Sequence, residues 1–145
     1  MKRILPVLTV ILAAAACSRP VSVEKFIKAS DCPVPDRYDF VLDMADTLVS
    51  YDITFYTRFS RGDGSLLLSI PLTVSATSPS GKLYSEDVWA DVSSPESVGH
   101  FDRDFIIPYR SEVRPAEAGE WKLSVTVPSG MDCLGGVGCI LKRRK

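Results

Sequence analysis

A chain of 145 residues with four cysteines, a single histidine and a formal net charge of −1 is long enough for one hydrophobic core and short of two. Its 17 basic residues are balanced by 18 acidic ones, which excludes nucleic-acid binding as a main role, because holding a phosphate backbone takes a concentrated basic face. The one basic cluster, Lys142, Arg143, Arg144 and Lys145, reads as a solvated end or, on a membrane-tethered protein, as a contact for anionic headgroups.

The chain opens on Met1, Lys2 and Arg3, followed by an apolar run from Ile4 to Ala16. A charged start, an apolar middle and a small-residue end are the parts of a signal peptide, expected over residues 1–16. The run is shorter than the roughly 20 apolar residues of a membrane-spanning helix, and later apolar residues alternate with polar ones. Ala14-Ala15-Ala16-Cys17 resembles a bacterial lipobox, in which small residues admit a peptidase and the cysteine thiol takes a diacylglyceryl group. Ala14 stands where Leu is usual and Leu12 lies two residues further back, so cleavage at an Ala-x-Ala site is the alternative. Lipidation of Cys17 is expected to tie the protein to the membrane, since each buried methylene contributes about 0.8 kcal/mol and a second acyl chain makes attachment firm. Ser18 offers no inner-membrane retention aspartate, which favours the outer membrane.

Residues 17–36, with Pro20, Pro33 and Pro35 among them, are expected to form an extended tether with at most a helical turn around Glu24–Lys28. Residues 37–145 then read as one domain whose hydrophobic period is two. Tyr38, Phe40, Leu42 and Met44 alternate with Asp39, Val41 and Asp43; Tyr51, Ile53, Phe55 and Phe59 oppose Asp52, Thr54, Tyr56 and Arg58; Leu66, Leu68, Ile70, Leu72, Val74 and Ala76 form the longest series. Further strands are expected at Lys82–Asp91, Arg103–Pro108, Glu120–Pro128 and Val137–Arg143, the third with Trp121, Leu123, Val125 and Val127 inward. Strict alternation marks half-buried strands. Gly62-Asp63-Gly64 and Pro79-Ser80-Gly81 supply turns, and Pro71 points to an edge strand, because it has no N–H to give a neighbour. The fold predicted is all-β, an antiparallel sandwich of about seven to eight strands, immunoglobulin-like or jelly-roll-like.

No catalytic set, metal site or cofactor is expected. His100 shares a polar loop with Ser97 and Asp102, but a hydrolytic triad also needs a nucleophile on a strained turn and an oxyanion hole. Asp43 with Asp46 and Glu86 with Asp87 read as solvated carboxylates. With Cys17 lipidated, Cys32, Cys133 and Cys139 remain; Cys139 falls on the inward face of the last strand as a small hydrophobe, leaving Cys32 and Cys133 as the expected disulfide. Three thiols without a neighbouring histidine lack the spacing of a zinc site. Arg61-Gly62-Asp63 spells an adhesion tripeptide but lies where a hairpin needs its turn. Trp89 and Tyr56 have two readings, packing within the sandwich or an aromatic platform for a glycan or peptide; with His100 they are the candidate ligand or partner contacts.

The run Asp43 to Arg58, DMADTLVSYDITFYTR, resembles the segment that opens the domain of gliding-motility lipoproteins of the GldH type, through Asp46-Thr47, Tyr51 and Arg58. The likeness continues in order through SLLLSIPLTVSATSPSGKLYSED with Pro79, Gly81 and Asp87, then Tyr109-Arg110-x-x-Val113, Gly119-x-Trp121, and Val137-Gly138 with Lys142. The chain departs from that family at Ser97-Val98-Gly99, where a Trp-containing glycine motif is expected, and in the short turn 128–134. The resemblance implies a non-enzymatic accessory lipoprotein of the cell envelope, anchored through Cys17 and working with envelope proteins. A glycan-binding or adhesive sandwich module is the alternative.

Overall fold

The computed structural model describes residues 20–60, 69–99 and 102–144. Among them nine strands form: β1 (Ser22–Lys28), β2 (Arg37–Met44), β3 (Tyr51–Ser60), β4 (Ser69–Thr77), β5 (Leu83–Asp91), the two-residue β6 (Ser97–Val98), β7 (Asp102–Val113), β8 (Gly119–Thr126) and β9 (Leu134–Arg143). One sheet has the order β1-β9-β3-β7-β6 and the other β2-β8-β4-β5. Every pairing is antiparallel: β1 with β9, β2 with β8, β3 with β7 and β4 with β5 nest from the ends of the chain towards its middle. That nesting, with most connections crossing between sheets, is a jelly roll. It selects the second of the two expected sandwich types.

The core lies where the two inner faces meet. Tyr38, Phe40, Leu42 and Met44 are buried from β2, Leu72 and Val74 from β4 and Leu123 and Val125 from β8, against Ile53, Phe55, Ile107, Val137 and Leu141 of the facing sheet. Each such side chain stabilises the fold by roughly 1.5–3 kcal/mol relative to exposure. Thr57, fully buried on the same layer, has a hydroxyl with no hydrogen-bond partner in the protein. The hairpin at Pro79-Ser80-Gly81 is the turn expected there: Gly81 has φ +90°, and the Glu117 carboxylate accepts hydrogen bonds from the Ser80 N–H and from the Ser78 and Ser80 hydroxyls.

Three expectations are corrected. Residues 17–36 are not a tether throughout, because Ser22–Lys28 is an edge strand in register with β9 from Ser22 opposite Lys142 to Lys28 opposite Gly136. Its alternation is real but short, with Val23, Lys25 and Ile27 on the inner face and Glu24 and Phe26 on the outer. Pro71 does not mark an edge, since β4 lies between β8 and β5. Pairing with β8 begins only at Thr73, so at Pro71 the strand has a neighbour on one side and the missing N–H costs no inner-strand hydrogen bond. Cys32 and Cys133 are free thiols, so the expected disulfide is not formed; the Cys32 sulfur is turned to the Lys28 carbonyl in the turn after β1, 3.6 Å away. Cys139 is buried as expected, and burial pushes its thiol up to about 12.

β3 is covered on both faces, which alternation alone did not anticipate. Its outer-face Tyr56 is only 6% exposed, because Phe26 of β1 stacks against it at 5.7 Å between ring centroids. Gly138 separates the two backbones in that row. A Cβ added there would fall 2.1 Å from the Tyr56 ring, and one at Gly136 would meet the Ile27 carbonyl and the Phe26 ring. Gly138→Ala is therefore expected to cost about 2 kcal/mol by overpacking, and less than about 0.5 kcal/mol once Tyr56→Ala has removed the ring; urea denaturation of the four proteins of this cycle checks the coupling.

Candidate functional site

Strand polarity gives the sandwich two ends. β1 begins, and β9 and β2 finish, at the end where Arg143 donates its N–H to the Val21 carbonyl; there Arg143 also pairs with Asp46 at 3.1 Å, and Arg144 with Asp52 at 2.6 Å and Glu112 at 3.0 Å. The two arginines of the basic cluster are thus engaged by carboxylates. The opposite end carries Trp89, the segment after β5 and the turn before β9. Leu83 and Trp89 lie on the same face of β5 six residues apart, or about 20 Å along the strand.

Trp89 is the expected contact residue that the structure leaves available, at 71% exposed. It stands opposite Pro71 on the outer face of the four-stranded sheet, which also exposes Val41 and Leu83 but is otherwise largely polar, with several hydrogen bonds between its rows. The Thr73 hydroxyl donates to Asp87 at 2.8 Å, Ser75 and Ser85 lie 3.2 Å apart, and Ser124 donates to Asp39 at 2.6 Å with Arg37 beside it at 2.9 Å. Burial raises the Asp39 carboxyl, but the hydrogen bonds from Ser124 and Arg37 outweigh it and hold the group below the usual range. The face carries hydroxyls and carboxylates, with one aromatic ring at its far end.

Tyr56 is not part of an aromatic platform. Its ring is sandwiched, and its hydroxyl donates to Glu24 at 2.6 Å; burial first, and then this bond, push its phenol well above the ordinary range. Beside it Arg58 forms a two-pronged pair with Asp104 at 2.7 and 2.8 Å while its guanidinium lies 4.9 Å from the Phe26 ring. This outer-face cluster was missed in the sequence because its partners come from β1; the signal was Phe26 alternating with Ile27, opposite the glycines of β9. His100, Cys17 and the tripeptide Arg61-Gly62-Asp63 lie outside the described residues.

The paired carboxylates separate. Asp46 accepts the Leu48 N–H at 2.9 Å as well as Arg143, a structural task, while Asp43 is exposed on β2. Glu86 points inward from edge strand β5 and is met across the side of the sandwich by the Tyr109 hydroxyl and by Arg110 at 2.5 and 2.7 Å. A register irregularity in β7 beside Tyr109 lets two successive residues reach the same carboxylate. Among the described residues, no group of three or more histidine, cysteine or acidic side chains is placed to hold a metal ion, and no helix is long and apolar enough to cross a membrane.

No protein-family model and no curated protein matches the chain. The class defined by fold and surface is a jelly-roll domain with an exposed aromatic residue on a polar sheet face.

The Glu86 clasp generates a pH signature. The Tyr109 hydroxyl holds the Glu86 carboxyl below its usual range, partial burial opposes this, and Arg110 adds to the lowering; the Tyr109 phenol is raised by burial and by Glu86. A lowered carboxyl stabilises the fold above the unfolded value near 4.3 and loses that contribution as pH falls through the folded value; a raised phenol stabilises it below about 10 and loses that contribution as pH rises. Urea midpoints of Tyr109→Phe measured from pH 3 to 11 are expected to show a shallower fall than the wild type on both limbs, with Tyr56 keeping part of the alkaline one.

Proposed function

We propose that the chain is a lipid-anchored lipoprotein of the bacterial envelope, held at the outer membrane, a non-enzymatic accessory component similar to those of the gliding-motility apparatus. The observation that carries this reading is the lipobox-like Ala14–Cys17 followed so closely by an ordered strand. Ser22 follows Cys17 by five positions, at most about 18 Å of chain, so the anchor, β1 and the close of β9 belong to one end of the domain. Trp89 and the segment after β5 lie at the other, turned outward to envelope proteins when the first end is held at a bilayer. The resemblance through Asp46-Thr47, Tyr109-Arg110 and Gly119-x-Trp121 is the ground for naming the apparatus. Intact mass spectrometry of the native protein is expected to give an amino terminus at Cys17 carrying a diacylglyceryl group, with Cys17→Ala released from membranes; an unmodified protein beginning at Met1, Ala16 or Cys17 overturns the reading.

A second reading is favoured by Trp89. An exposed indole beside hydrogen-bonded hydroxyls and carboxylates offers a sugar ring a stacking surface flanked by polar partners. Glycan-array binding that is saturable and reduced at least about tenfold in Trp89→Ala, the loss of about 1.4 kcal/mol, would establish the module. Binding unaffected by Trp89→Ala would dismiss it.

A further inference from the structure

The sandwich has two open sides, and they are finished differently. Between β5 and β7 the inward carboxylate of Glu86 is clasped by Tyr109 and Arg110. Between β1 and β2 the sheets part around a cleft of about 150 Å³, with Phe40, Leu42, Cys139 and Leu141 inside and Val21 and Val23 at its lip. Val23 pairs with Leu141 on the inner face of its sheet, yet both valines are 52% exposed. Valines that point between two sheets and still meet water leave apolar area for a further apolar group to cover. Lys25, Asp43 and Arg143 supply the polar rim.

The chain itself brings such a group to the lip. Pro20 lines the cleft and Cys17 precedes it by three residues, so at no more than about 3.6 Å per residue Cys17 is held within roughly 11 Å of Pro20. We propose that this cleft holds the end of one acyl chain of the lipid on Cys17. The proposal rests on the lipid-anchor reading. At roughly 30 Å³ for a water-sized group, the space admits about five methylenes, the end of a single chain; the remaining chains stay in the bilayer. Domain and anchor are then joined by an apolar contact as well as by the peptide, and the side of the sandwich between β1 and β2 is turned to the membrane.

The test uses the full-length protein made in cells fed a photoactivatable diazirine fatty acid, purified in detergent, irradiated and digested. Label is expected on peptides covering residues 20–25 or 40–43, to be lost in Val23→Asp, a change at a half-exposed position, and to be retained in Leu83→Asp, an exposed position on β5. Intact mass separates the two premises. A lipidated protein whose label avoids the cleft, or labels it equally in Val23→Asp, overturns the docking and leaves the anchor standing. A protein without lipid overturns both.

Discussion

β9 carries β1 on one side and β3 on the other, and Gly136 and Gly138 strip its outer face of side chains where both neighbours need the room. With those positions bare, Phe26 and Tyr56 lie down over the strand and stack on each other, and the inner-face residues Val137, Cys139 and Leu141 stay in register with the opposing sheet. The dry layer between the sheets and the position of the chain's first strand therefore follow from the same strand. Had β9 carried bulky residues on both faces, β1 would have no seat and Tyr56 would stand in solvent.

The flanks of the sandwich show two treatments of one problem. A strand at a sheet edge must be kept from recruiting foreign strands, and an inward-pointing charge is one device for this. Glu86 on β5 is such a charge and is fully engaged by groups from the facing sheet. Lys25 on β1 occupies the equivalent role at the other edge, but among valines, beside a cavity. The first flank is a closed polar seam, and the second is apolar with a charged rim. Together with the separation between the β1 end and Trp89, this gives the domain a side and an end with distinct characters.

Most of the fold was legible. The strands β2, β3, β4 and β8 announce themselves by a period of two, β5, β7 and β9 by short apolar spans between turns, and Pro79-Ser80-Gly81 by the positive φ it must adopt. Leu66 and Leu68 of the longest predicted series lie outside the described residues. What sequence reasoning missed had a common cause: it depended on neighbours far along the chain. β1 reads as a tether because Pro20, Pro33 and Pro35 bracket a short alternation whose polar positions include two lysines, and only pairing with β9 makes it a strand. Tyr56 keeps two readings, packing or platform, because alternation cannot reveal that a first strand covers β3 from outside. Pro71 reads as an edge marker because the length over which β8 accompanies β4 is not written locally. Trp89 was legible as a candidate, though its exposure was not, since Val88 and Ala90 on either side argue equally for packing.

The nesting of strands from the ends of the chain inward also has a temporal meaning. Ser22 meets Lys142 across nearly the entire polypeptide, so the outermost pair closes only when the last segment is present, and contacts of such long sequence separation form slowly. As the chain is made, its first strand waits unpaired until the last one exists. The finished domain seals itself only once its trailing end has formed, so a polypeptide missing its last ten residues would leave both β1 and β3 without their shared neighbour.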